Sequence, residues 1–159
     1  MKYKFLTITF FCLFHMNFLS AQSANENITV SNLNSKFLEH LIKIKIDSVR
    51  NNLGLTTLVN DSILYTAANF HADWLEQNNA FSHIEKDNTN YETPQDRANF
   101  FGAKNYLVGE NIIKSFLNTP LKSKNSKRKY INKTYNNLAN DFIVGWVNSP
   151  GHYANIIRP

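Results

Sequence analysis

Apolar residues in this chain recur three or four positions apart, in blocks bounded by capping and helix-breaking residues. That spacing commits most of the chain to helix. In SKFLEHLIKIKIDSVRNNLG, residues Phe37, Leu38, Leu41, Ile42 and Val49 share helical spacing, with Ser35 as cap and Gly54 as stop. The alternating IKIKI inside it is strand-like only locally. A second helix opens at Asn60 or Asp61, carries Leu64, Ala68, His71 and Leu75 on one stripe, and ends near Asn78 and Asn79. Phe81, Ser82 and His83 then fall in the following turn. A third, short helix has Thr93 as cap, Pro94 at its first position and Gly102 as terminator. A last helix bears Leu138, Phe142, Ile143, Trp146 and Val147, and Ser149-Pro150-Gly151 stops it. The best strand candidate runs from Glu110 to Phe116, and a short second one lies near Ile156 and Ile157.

The first 21 residues predict export. Lys2 and Lys4 precede an apolar run from Phe5 to about Leu19, and small or polar residues follow at Ser20 and Ala21. His15 and Asn17 interrupt that run, which falls short of the ~20 apolar residues that cross a bilayer. Residues 1–21 therefore read as a signal peptide, 22–34 as a polar linker, and 35–159 as one domain. Cys12, the only cysteine, lies inside the signal peptide. An exported domain with no disulfide must rely on apolar packing. The formal charge of +5 is too mild to argue for nucleic acid, and no later segment is apolar enough to cross a membrane.

Among the histidines of the domain, His40 and His71 lie on helices and read as packing or surface residues. His83 and His152 each follow a helix at a sharp turn, where side chains can converge on a cleft. Glu110, between Gly109 and Asn111, is either an exposed strand-edge charge or one partner of a buried polar cluster. HExxH, GxSxG, Walker-type and cysteine-zinc patterns are all lacking.

The ordered series RNNLGLTTL, AANFHADWLEQNNAFSH, DRANFFG, GENI and GWVNSPGHYANII resembles the CAP superfamily of cysteine-rich secretory, antigen 5 and plant pathogenesis-related proteins. It is most similar to the compact bacterial branch, the SCP-like extracellular proteins. The resemblance implies an α+β fold, a helix-rich α-β-α sandwich with a cleft lined by two histidines and one or two acids. Position by position, the cleft residues match His83 in FSH, Glu110 in GEN and His152 in SPGH. Many eukaryotic members carry a second Glu on the helix that holds Trp146, whereas this chain reads WVNS, with Asn148 or Ser149 there. Family members generally continue past the equivalent of NII, so the resemblance also implies that the C-terminal strands of the sheet are missing and the domain is incomplete.

Four functional readings follow. Two neutral imidazoles, His83 and His152, can ligate a divalent metal such as zinc, with Glu110 orienting a histidine or a bound water. The same cleft can bind a small ligand, and uptake of such an ion or ligand without turnover is the preferred reading, because the resemblance implies no settled reaction. Metal-assisted hydrolysis of an extracellular or cell-envelope substrate is the enzymatic alternative. In a purely structural role, His83, Glu110 and His152 satisfy one another's hydrogen bonds and hold three turns together. Separately, Lys122, Lys124, Lys127, Arg128, Lys129 and Lys133 make 122–133 either a solvated basic loop or a module adhering to an anionic cell envelope.

Overall fold

The helices expected from apolar spacing form where local signals are strongest. The computed structural model describes residues 22–159 apart from 87, 106, 116, 118–120, 124, 125 and 131–133, with only the backbone described at 121–123 and 126–130. The expectation of a signal peptide at 1–21 and the basic side chains of 122–133 lie outside these bounds. Five α-helices are present among the described residues: α1 (Ser35–Asn52), α2 (Ser62–Gln77), α3 (Pro94–Phe100), α4 (Tyr135–Val147) and α5 (Pro150–Ile156).

Their ends follow capping chemistry. The α1 cap is Asn34, one residue before the expected Ser35, and its side chain accepts from the Phe37 N–H. Gly54, beyond the helix, takes φ of 72°, a left-handed conformation that costs glycine little. Asp61 caps α2 by accepting from the N–H groups of Ile63 and Leu64. Thr93 and Asp96 form a reciprocal capping box on α3, with Pro94 in its first turn. Thr134 caps α4 by accepting from the Asn137 N–H.

The helices pack in two groups, α1 with α4 and α5, and α2 with α3. One core lies along α1 and α4, where Leu38, Tyr135, Leu138 and Ala139 are buried with Ile28. It continues through Ile143, Trp146 and Ile156, against Ile42, Ile46, Val49, Ile113 and Phe142. On the other side, Phe70 of α2 packs on Tyr91 and Phe101, and Tyr91 on Phe100. Between the groups runs a segment without regular secondary structure, residues 107–115. The Trp146 indole N–H donates to the Ile112 carbonyl at 3.2 Å and ties this segment to α4.

Four expectations are corrected. Residues 110–115 are not a strand, because no ladder among the described residues includes them, and a strand is defined by that ladder. The paired strands among the described residues are instead β1 (Leu121–Ser123) and β2 (Ser126–Tyr130), an antiparallel ribbon inside the segment expected to be loop. Ile156 and Ile157 belong to α5 and its end rather than to a strand. Ser149-Pro150-Gly151 stops α4 as expected but also starts α5, since Pro150 at a first helical turn has no N–H to lose.

Residues 22–34, read as a linker, pack onto the domain. Ile28 is fully buried, Asn27 bridges to Thr134, and the Tyr135 hydroxyl accepts from the Asn34 N–H at 2.7 Å while donating to the Asn32 carbonyl at 3.0 Å. Their polar composition conceals one apolar anchor.

Candidate functional site

Glu110 stands where the 107–115 segment passes the loop between α2 and α3. Its Oε1 lies 2.7 Å from His83 Nδ1 and its Oε2 accepts from Arg97 Nη2 at 2.8 Å. The His83 and His152 rings lie with centroids 6.2 Å apart, tilted by 46°. The three residues singled out in the sequence are therefore neighbours. His152, expected in a turn, sits in the first turn of α5, and its Nδ1 is 2.9 Å from Ser149 Oγ. A serine hydroxyl thus meets this ring.

Two asparagines join α5 to the Glu110 segment. Asn155 Nδ2 donates to the Glu110 carbonyl at 3.2 Å and to Asn111 Oδ1 at 2.9 Å, while Asn111 Nδ2 donates to the His152 carbonyl at 3.1 Å. These bonds fix the backbone of both cleft residues from the same side. Gly109 is required beside them, because a Cβ there would come within 2.6 Å of Asn155 Oδ1.

Behind Glu110 lies a buried polar cluster that the helical stripes did not reveal. His71 reaches Glu85 Oε1 through Nδ1 at 2.7 Å and the Ser82 carbonyl through Nε2 at 2.9 Å, with Glu110 Oε1 3.7 Å from Nε2. Arg97 Nη1 donates to the carbonyls of Tyr91 and Glu92, and its Nη2 donates to the carbonyl of His83 as well as to Glu110. Arg97 Nη1 also lies 3.5 Å from Glu85 Oε1. His71, Glu85 and Arg97 are all at least 98% buried. Pairing of this kind offsets the cost of burying such groups, although Glu85 Oε2 has no hydrogen-bond partner among the described residues.

His71 fits an apolar stripe as well as it fits a polar cluster, so spacing could not separate the two. Arg97, one charged residue on a short helix, carried no sequence signal of its burial. His40 is exposed, in line with the reading given to it.

Two cavities adjoin Glu110. One, of about 200 Å³, is bordered by Leu64, Ala68, Pro94, Arg97, Val108 and Glu110. The other, of about 250 Å³, is mostly apolar and lies between the helical groups, against Ile42, His71, Leu75, Ile113, Phe142 and Trp146. Ala68, Glu110 and Asn111 border both. Among the described residues no set of three or more His, Cys, Asp or Glu could hold a metal ion. A two-histidine arrangement is what these residues offer.

The family can be assigned from sequence. The chain matches the model of the cysteine-rich secretory protein family, CAP, over residues 45–159, and belongs to that family. Neither a curated relative nor a solved structure matches it. No described helix is long and apolar enough to cross a membrane.

Proposed function

We propose that this CAP-domain protein is an exported binding module whose cleft at His83, Glu110 and His152 takes up a divalent ion such as zinc, or a small ligand, without turnover. The observation that carries this reading is the pairing of the two rings, 6.2 Å apart, each engaged at Nδ1 by Glu110 or Ser149. Neither Nε2 has a hydrogen-bond partner among the described residues, so each can offer a lone pair.

With a zinc–nitrogen distance of about 2.0–2.1 Å, two imidazoles sharing one tetrahedral ion have centroids about 5 Å apart. The observed rings need to close by about 1 Å, and His83, with 43% of its side chain exposed, has the freedom to move. Two protein ligands with solvent completing the shell describe an exchangeable ion rather than a structural one. A bound ion would supply positive charge to an anionic or carbonyl group entering the cleft. Glu110 would then orient His83, and the adjoining cavities limit the ligand to a small one.

The same reading treats Glu110–Ser115 as one element of the middle layer of an α-β-α sandwich, with α1, α4 and α5 on one side and α2 and α3 on the other. It also assigns 1–21 to a secretory signal peptide. Calorimetric titration with zinc tests the ion: the wild type should give saturable heat that His152→Ala lacks, and equal heats in both remove it. N-terminal sequencing of the exported protein tests secretion, with a start just after Ala21 expected.

A further inference from the structure

Arg97 is 1% exposed and makes four hydrogen bonds, two of which reach the cleft. From one nitrogen, Nη2, it donates to Glu110 Oε2 at 2.8 Å and to the His83 carbonyl at 3.2 Å. The backbone of the histidine and the side chain of its hydrogen-bond partner are thus held by one planar, permanently charged group. Its remaining bonds, to the Tyr91 and Glu92 carbonyls, fix the guanidinium against the far side of the loop.

We infer that Arg97 is the positioning residue of the cleft, setting the tautomer of His83 through Glu110. A carboxylate gripped at Oε2 by a guanidinium offers only acceptors, so the 2.7 Å contact from Oε1 requires the proton to sit on His83 Nδ1. The Nε2 atom of His83 then carries the lone pair. An unconstrained neutral imidazole favours the opposite arrangement, with the proton on Nε2, so the cleft imposes the less favoured form. Arg97 touches no ligand itself; it decides which face of Glu110 His83 meets.

This makes a sharp forecast for Glu110→Gln, which preserves shape. Arg97 would claim the amide oxygen, leaving the amide NH₂ directed at His83 Nδ1 as a donor. Nδ1 would have to accept, and the proton would move to Nε2. Long-range proton–nitrogen correlation spectra of the full chain, labelled at histidine and recorded without metal at about pH 8, where imidazole is mostly neutral, read this directly. In the wild type, His83 should show a protonated Nδ1 and an unprotonated Nε2; in Glu110→Gln the two signals should exchange. In folded Arg97→Gln, Glu110 loses its anchor at Oε2, so the contact of Oε1 with Nδ1 loosens and the Nδ1-protonated signal of His83 should weaken toward the mixture of a free imidazole. A wild type with its proton on Nε2, a Glu110→Gln protein without the exchange, or a folded Arg97→Gln protein with the wild-type His83 signals overturns the inference.

The consequence for ion binding rests on the proposed function, whereas the tautomer does not. Glu110→Gln should lose zinc heat in step with the exchanged tautomer, because a protonated Nε2 has no lone pair to donate. Retention of wild-type zinc heat by a Glu110→Gln protein with exchanged signals overturns that coupling. A wild type with the expected tautomer and no zinc heat removes the proposed function alone.

Discussion

Gly109 and Asn155 compete for one small space: a Cβ at residue 109 would lie 2.6 Å from Asn155 Oδ1 and 2.9 Å from its Cγ. Since Asn155 also bonds the Glu110 carbonyl and Asn111, moving it disturbs the segment that carries the cleft carboxylate. Gly109→Ala should cost about 1–3 kcal/mol, as overpacking does. Gly151→Ala is the control, because nothing lies within 4 Å of its added methyl and it sits in α5. Alanine is the better helix former, so that change should stabilise by about 0.5–1 kcal/mol. Urea denaturation of both variants measures the contrast, and equal effects would refute it.

Arg50, 2% exposed, links α1 to the segment after α5. Its Nη1 donates to the carbonyls of Ile156 and Arg158, each at 2.7 Å, and its Nε to Thr56 at 2.7 Å. Arg50→Met keeps much of the packing but leaves these carbonyls short of donors, and should cost about 2–4 kcal/mol. Amide exchange should rise first in α5. Unchanged protection there would mean that Arg50 does not secure this helix.

The packing of residues 22–34 predicts that they belong to the cooperative unit. Tyr135→Phe removes a hydroxyl that bonds Asn34, Asn32 and Gln22, and should cost about 1–3 kcal/mol. Ile28→Ala, at a fully buried site, should cost about 2–5 kcal/mol. A linker would tolerate both changes, so thermal midpoints equal to the wild type would restore that reading.

Acid should weaken the fold through Asp47 and Asp96. Burial opposes the charge of Asp47, but hydrogen bonds from Lys43 and the Leu58 N–H, with the nearby Lys43 and Arg50 charges, hold its carboxyl below the ordinary 3.8. Hydrogen bonds from the Thr93 hydroxyl and N–H hold Asp96 below it too, aided by Arg97 against a small effect of burial. Both groups bind protons more weakly when folded, so their contribution is present above the ordinary carboxylate value and is lost as pH falls through the lower folded values. Urea midpoints should therefore drop below about pH 4, and less steeply in Asp47→Asn and Asp96→Asn. Parallel acid profiles in wild type and variants would exclude these two residues.

How much was legible from sequence depended on how local each signal was. Helix α3 could be read in full, because Thr93, Pro94 and Gly102 act within a few residues of the backbone they organise. The segment from Glu110 could be seen to be apolar, but whether it pairs as a strand could not be read, since a ladder requires a neighbour that local pattern does not specify. The cleft set His83, Glu110 and His152 came from a family resemblance. Their spacing alone left an exposed charge and two turn histidines equally open.

By itself, the sequence determined helices α1 to α4, the caps of α2 and α3, the absence of any cysteine after Cys12, and the titratable residues available for a cleft. These follow from side-chain periodicity and from hydrogen bonds made within a turn or two. Only the tertiary structure decided that His71, Glu85 and Arg97 are buried together, that Ile28 is core, and that one guanidinium holds both His83 and Glu110. Those relations join residues far apart in the chain, and the cost of burying an unpaired charge shows itself only once packing has excluded water.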